Sequence, residues 1–141
     1  MIIDQGELFQ GTSHIFVKRF IEQTVKESYN KGDFLFHEKD EARYFYTLIE
    51  GRVKLSIGNK VHEVHIVSHA GEAFGWSSLV GSDCYTASAE CIEPTTLFKV
   101  DGKDIQKMLE ENSSTGFIFF RNLSKILGKR LLRSYSIITC S

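Results

Sequence analysis

The residues best suited to bind a ligand lie in one stretch in the middle of the chain. Gly71 and Gly75 are four positions apart, and glycines allow a tight bend and a close approach of the backbone to a ligand. The sequence predicts a short helical turn that begins near Ser77, and its first backbone N–H groups suit an anion. A strand rich in small residues is predicted to begin at Tyr85. This order of turn, helical turn and strand is typical of a phosphate-binding segment.

The same stretch resembles the phosphate-binding cassette of a known family, the cyclic nucleotide-binding domains of the bacterial cyclic-AMP receptor protein and FNR superfamily. The family pattern runs roughly G-D-x-F-G-E-x-A-L, then a gap, then R-[ST]-A. This chain has G-E-A-F-G-W-S-S-L, then a gap, then Y-T-A. The residues on matching positions are Gly71, Phe74, Gly75, Leu79, Thr86 and Ala87.

Other positions depart from the family pattern. Glu72 stands where the family often has Asp, and Ser78 stands where it has Ala. Trp76 takes the place of the family's ribose-binding Glu, and Tyr85 takes the place of its phosphate-binding Arg. A Tyr hydroxyl carries no positive charge, and an indole has one donor and no acceptor. Because a charge-assisted contact contributes about 1.5–3 kcal/mol, ordinary binding of cyclic AMP is not expected.

Two interpretations of the pocket remain open. Period-two alternation puts four residues on one face, namely Tyr85, Ala87, Ala89 and Cys91. The small side chains among them would leave space for another small anionic or aromatic ligand. Alternatively, Trp76 and Tyr85 fill the pocket, and the chain is a dimerisation or protein-interaction module without a ligand. The residues to which the resemblance assigns ligand binding are Gly71, Glu72, Phe74, Gly75, Trp76, Ser77, Ser78, Leu79, Tyr85, Thr86 and Ala87.

The elements that position this segment are short. A helix is predicted over residues 13–24, with an apolar stripe of Ile15, Phe16, Phe20 and Ile21. Strands are predicted at 33–36, 44–49, 52–57, 61–67, 85–91 and 96–100, with a hairpin turn at 58–59. Short strands with regular turns indicate a β-sandwich or roll. The resemblance implies a mainly β double-stranded β-helix, or jelly roll, over residues 25–100, with the cassette at 71–87.

C-terminal helices are predicted over residues 101–136. Asp101 can cap a helix from Gly102 to Glu110, and a last helix begins near Ser113 or Ser114 and continues towards Tyr135. Its apolar stripe consists of Phe120, Leu123, Leu127 and Leu131, widened by Ile126 and Leu132. The resemblance implies a homodimer through this helix. Its basic face consists of Arg121, Lys125, Lys129, Arg130 and Arg133, and the other interpretation of that face is a surface for acidic partners or nucleic acid.

The histidines and cysteines do not predict a metal site. His62 and His65 point to opposite faces of a strand, and His65 and His69 would be about 13 Å apart if the strand ran that far. Solvated or half-buried histidines are therefore favoured over a metal centre. The cysteines, at 84, 91 and 140, lack C-x-x-C spacing. Buried or terminal thiols are favoured over a redox sensor.

Composition narrows the classes of function. The chain has 141 residues, 42% of them hydrophobic and 25% charged, with a net charge of −1, which predicts one globular domain over 1–141 and no general affinity for nucleic acid. It has no apolar run of the ~20 residues that cross a bilayer and no signal peptide, so a cytoplasmic location without a membrane is expected. No spacing of nucleophile or paired acids suggests an enzyme.

These observations predict a non-catalytic small-ligand sensor or regulatory domain without a cofactor. The winged-helix DNA-binding domain of the family's transcription factors does not follow the last helix, so sequence-specific DNA binding is not expected. A conformational change caused by ligand binding is expected to pass to an effector protein or to act through oligomerisation.

Overall fold

The structure of the chain is a computed structural model that describes residues 7–58 and 62–140. The strands within these ranges are β1 (Val25–Tyr29), β2 (Phe34–Phe36), β3 (Tyr44–Glu50), β4 (Val53–Ile57), β5 (His62–Val67), β6 (Ala73–Phe74), β7 (Ser88–Cys91) and β8 (Thr95–Asp101). The helices are α1 (His14–Gln23), α2 (Gly102–Glu111) and α3 (Ser113–Cys140), and short 3-10 turns lie at Glu7–Phe9 and Trp76–Ser78.

The strands form two four-stranded antiparallel sheets, in the orders β1-β8-β3-β6 and β2-β7-β4-β5. Side chains from both sheets meet in one core, which we call the roll core. Its buried members are Phe36, Tyr46, Leu48, Val53, Val67, Phe74, Tyr85, Ala89, Cys91 and Leu97. The predicted mainly β roll with an N-terminal helix and C-terminal helices is confirmed. The predicted turn at 58–59 lies partly outside the described residues, because Asn59 is not among them.

A second core, the helical core, packs α1, α2 and the first half of α3 against the outer face of the first sheet. Phe20, Phe45 and Phe119 are fully buried there, with edge-on ring contacts between Phe20 and Phe45 and between Phe45 and Phe119. The predicted apolar stripe of α1 is wrong at one position. Ile15 is 74% exposed, whereas its neighbours Phe16 and Phe20 are buried.

The helix ends follow from local sequence. Ser13 caps α1, since its Oγ accepts a hydrogen bond from Phe16 N at 3.1 Å. Asp101 caps α2 by accepting one from Lys103 N at 2.9 Å. Within the described residues, no helix combines the length and apolarity that a bilayer crossing requires.

The predicted stripe of α3 divides between two environments. Leu123 is buried in the helical core, and Phe120 and Leu127 pack against that core while partly exposed. Leu131, one turn further on, is 52% exposed. Phe119, which lay outside the predicted stripe, is fully buried.

Candidate functional site

The cassette segment lies between the two sheets and the start of α2. Its beginning, β6, pairs with β3 in the register Tyr46–Phe74 and Thr47–Ala73. The helical turn Trp76–Ser78 follows, and the next strand, β7, begins only at Ser88. The strand predicted from Tyr85 therefore starts three residues late, and Tyr85, Thr86 and Ala87 precede it in an irregular segment.

Gly75 brings the segment close to β3. Its φ is +78°, in the left-handed region that favours glycine. A Cβ built at this position would lie 2.9 Å from the Tyr44 carbonyl oxygen and 3.1 Å from Cδ2 of Tyr46. The sequence predicted that the backbone at this glycine would approach a ligand closely. In the structure it approaches β3.

The helical turn is closed by its own hydrogen bonds. Ser78 N donates to Gly75 O at 3.2 Å, and Leu79 N donates to Trp76 O at 2.9 Å. Ser78 Oγ also donates to Gly75 O at 2.8 Å, and Ser78 O accepts a hydrogen bond from Gln106 Nε2 of α2 at 2.9 Å. The amides of Ser78 and Leu79 therefore have partners within the turn, and Ser77 and Ser78 are buried.

The two residues that replace the family's charged contacts face different cores. The half-buried Trp76 packs against the helical core, whereas Tyr85 is only 5% exposed within the roll core. The structure therefore does not bring the two side chains into one pocket. Thr86 is exposed and Ala87 is half-buried.

The hydroxyl of Tyr85 is fixed to β3 by two hydrogen bonds. It donates to Tyr44 O at 2.5 Å and accepts from Tyr44 N at 2.9 Å. Burial raises the pKa of Tyr85 to about 12, although its hydrogen bonds act in the opposite direction. The side chain is therefore a neutral phenol at physiological pH.

Aromatic rings fill the roll beside the cassette. The Tyr85 ring stacks on Phe36 with centroids 3.7 Å apart and an interplanar angle of 13°. Phe36 stacks on Tyr46 at 5.8 Å, and Tyr46 stacks on Phe74 at 5.0 Å. Ala89, one of the small residues expected to leave space, is fully buried in this same core. We call the rings of Phe36, Tyr46, Phe74 and Tyr85 the aromatic stack.

A charged network lies on the other side of the segment, centred on Glu72. Its Oε2 is 2.6 Å from His65 Nε2 of β5, and its Oε1 accepts hydrogen bonds from Ser68 N at 3.1 Å and His69 N at 3.3 Å. Burial alone would raise the pKa of Glu72, but these contacts outweigh it and lower the pKa to about 2. Glu72 is thus a stable carboxylate that ties β5 to the cassette.

Arg130 of α3 completes the network. Its Nη2 donates to Ala73 O at 2.7 Å and lies 3.4 Å from Glu72 Oε2. The side chain is only 14% exposed, and burial lowers the pKa of Arg130 while Glu72 opposes that shift. The sequence analysis missed this inward orientation. Arg130 follows the half-buried Ile126 by four residues, a spacing that places both on one helix face and could have indicated it.

A cleft of about 570 Å³ opens next to this network. We call it the α3 cleft, since one wall is residues 65–73 of the roll and the other is α3 from Ile126 to Arg133. The lining residues are Glu7, Leu8, His65, Ile66, Ser68, His69, Ala70, Gly71, Glu72, Ala73, Ile126, Lys129, Arg130 and Arg133. Of the predicted ligand-binding residues, only Gly71 and Glu72 line it.

Two of the histidines considered as metal ligands, His65 and His69, contact the carboxylate of Glu72, at 2.6 Å and 3.5 Å. His69 is 87% exposed and His65 is in the Glu72 network, while the side chain of His62 is outside the described part of the chain. Within the described residues, no group of three or more His, Cys, Asp or Glu side chains is arranged to hold a metal. Cys84 is exposed and Cys91 is buried, and both are free thiols.

Comparisons with known proteins agree with this architecture. A protein of Geobacter metallireducens GS-15, provisionally described as a cyclic nucleotide-binding protein, is 27% identical with a TM-score of 0.78, and the match covers 88% of this chain and 91% of that one. The catabolite activator protein of Thermus thermophilus is 21% identical with a TM-score of 0.75, over 96% of this chain and 62% of its own. The sensor domain of the transcriptional regulator DNR from Pseudomonas aeruginosa is 22% identical with a TM-score of 0.72, over 92% and 89%.

At 21% and 22% identity, the similarity to the last two proteins supports the fold alone. No match is found among curated proteins. The model of the family described as "Cyclic nucleotide-binding domain" matches residues 26–112, more than half of the chain. The chain therefore belongs to the cyclic nucleotide-binding domain family.

Proposed function

We propose that the chain is a non-catalytic regulatory domain whose cassette is closed to cyclic nucleotides. The observation that carries this proposal is the position of Tyr85. Its ring is stacked on Phe36, and its hydroxyl is bonded to both the N–H and the C=O of Tyr44. The residue that replaces the family's phosphate-binding Arg is therefore part of the roll core.

This arrangement leaves little for a phosphate to bind. A phenol has one O–H donor, and that of Tyr85 is used by Tyr44 O. The Ser78 and Leu79 amides are bonded within the helical turn. A cyclic nucleotide would have to displace buried rings before it gained any contact, and burying its phosphate without a cation or a donor costs free energy.

Calorimetric titration with cyclic AMP and with cyclic GMP tests the closed cassette. We expect no saturable heat from the wild-type protein, whose folded state is checked by thermal unfolding in the same buffer. Saturable binding of either nucleotide at low micromolar concentration would contradict the proposal, since it would require Tyr85 to leave the roll core.

A second proposal concerns the output of the domain: α3 pairs with α3 of a second copy. The helix has 28 residues and so is about 42 Å long. Its first half is used by the helical core of its own chain, but Leu131 and Leu132 are 52% and 63% exposed. Adjacent exposed leucines on a long helix are typical of a helix–helix interface. A change in how α3 packs would then alter the dimer, or its contact with an effector protein.

Light scattering at tens of micromolar protein tests the dimer. We expect the wild type to be a dimer and Leu131→Asp to be a monomer that retains its fold. Phe34→Asp is the matched control, because Phe34 is 44% exposed on β2, an edge strand of the second sheet, and it should remain dimeric. A monomeric wild type would overturn this proposal and leave the closed cassette unaffected.

A further inference from the structure

The α3 cleft differs from the cassette both in its lining and in its charge. Its cations come from Lys129, Arg130 and Arg133 of α3, whereas its carboxylates are those of Glu7 and Glu72. It therefore carries an excess of positive charge, before any contribution from its two histidines. None of the residues from Gly75 to Ala87 lines it.

We propose that the α3 cleft binds a small organic anion, one that has a carboxylate or phosphate group and an apolar body. This inference goes beyond the closed cassette, since it concerns a different set of side chains. The cleft's volume of about 570 Å³ is within the range of roughly 300–1,000 Å³ that is typical of small-molecule sites.

Arg133 is the cation best placed to receive the anionic group. Its Nη1 lies 3.5 Å from Nδ1 of His65, and it has no carboxylate partner among the side chains that the structure describes. A guanidinium presents five N–H donors in a planar fork and can bind a carboxylate or phosphate through two of them. Lys129, beside it, is paired with Glu7 at 3.0 Å, but both side chains are 59% exposed, and such pairs are weak.

The network around Glu72 fixes three side chains of the cleft, those of His65, Glu72 and Arg130, without a ligand. Glu72 contacts His65 at 2.6 Å and Arg130 at 3.4 Å, and Arg130 also donates to Ala73 O at 2.7 Å. The three side chains are between 11% and 18% exposed. Little side-chain entropy is therefore lost when a ligand arrives, which favours affinity.

The apolar part of the cleft would hold the body of the ligand. Leu8 is 1% exposed in the helical core, and Ile66 and Ile126 are half-buried on opposite walls. A molecule seated there contacts residues 65–73 and α3 at once. It would stabilise the docked position of the second half of α3, which is the half that carries the exposed leucines Leu131 and Leu132.

Amide chemical shifts during titration with phenyl phosphate test this inference. We expect saturable shifts confined to residues 7–8, 65–73 and 126–133. Inorganic phosphate lacks the apolar body and phenol lacks the charge, so both should bind more weakly. Arg133→Gln should weaken phenyl phosphate binding by about tenfold, as expected for the loss of a charge-assisted hydrogen bond.

Arg121→Gln is the matched control, since Arg121 is an exposed arginine of α3 outside the cleft, and it should bind phenyl phosphate as the wild type does. Because Arg130 supports the fold, Arg130→Gln is used only if its unfolding transition remains cooperative, and it too should weaken binding. The absence of saturable shifts, shifts in residues 75–87 instead, equal binding of phenol, or equal affinities of Arg133→Gln and Arg121→Gln would each overturn the inference. None of these results depends on whether cyclic AMP binds the cassette.

Discussion

The cassette and the α3 cleft share Gly71 and Glu72, yet side chains fill the cassette whereas the cleft is open. On the cassette side, neutral rings stack between 3.7 and 5.8 Å apart and leave the roll filled. On the cleft side, charged side chains meet around Glu72, and a cavity remains between the roll and α3. The backbone layout of a ligand-binding segment is thus retained where the pocket is closed. The charge that would recognise an anion lies instead on α3.

The largest expected effect comes from removing the ring that fills the cassette. Tyr85→Ala should lower the free energy of unfolding by about 3–5 kcal/mol, because it deletes a buried aromatic side chain and leaves a cavity against Phe36. Urea denaturation measures this loss. Phe117→Ala is the control, since Phe117 is 64% exposed, and it should change stability little. A loss below about 1 kcal/mol for Tyr85→Ala would mean that the ring does not pack in the roll core.

The next effect concerns the carboxylate of the cleft. The pKa of Glu72 is about 2 in the folded protein against an ordinary value of 4.5, so the unfolded chain binds this proton more readily. The stabilisation is complete above pH 4.5 and is lost as the pH falls towards 2. Between pH 5 and pH 3 the wild type should lose about 2 kcal/mol more than Glu72→Gln. Urea unfolding curves at both pH values give this difference. Equal losses of unfolding free energy in the wild type and Glu72→Gln would show that the network does not lower the pKa of Glu72.

The hydroxyl of Tyr85 is expected to contribute less than its ring. Tyr85→Phe keeps the stacking on Phe36 but leaves the Tyr44 N–H and C=O without the partner they have now. We expect a loss of about 1–2 kcal/mol, the range for polar groups left unsatisfied away from water. An unchanged stability for Tyr85→Phe would show that water replaces the hydroxyl, and hence that the cassette is open.

The smallest effect is expected at the rim of the cleft. Lys129→Gln removes an exposed ion pair with Glu7 and should change stability by less than about 0.5 kcal/mol. Thermal unfolding at low and high salt measures it. A loss as large as that of Tyr85→Phe would mean that the rim, and not the Glu72 network, holds α3 against the roll.

Local sequence signals predicted much of the fold. The cap at Asp101 and the starts of α1, β3 and β4 were predicted within one residue, because each depends on neighbouring residues. Strand β1 was not predicted, since Val25–Tyr29 has no apolar run, and it forms by pairing with β8 from the other end of the roll. Such pairing is decided by distant residues.

The site was harder to predict for the same reason. Tyr85 was placed in a strand, but its backbone pairs with residues 39 and 40 of a loop: Lys39 N donates to Tyr85 O and Tyr85 N donates to Asp40 O. The contact between Glu72 and Arg130 joins residues 58 apart. No spacing rule in a single sequence connects them, although the basic face of α3 supplied the right kind of side chain.

The central claim, that the aromatic stack closes the cassette, is tested most directly by nuclear Overhauser contacts between the rings of Tyr85 and Phe36. With centroids 3.7 Å apart, we expect strong contacts that persist unchanged in an excess of cyclic AMP. If these contacts were absent, or were lost saturably as cyclic AMP was added, Tyr85 would be outside the stack and the cassette would be open to its family's ligand.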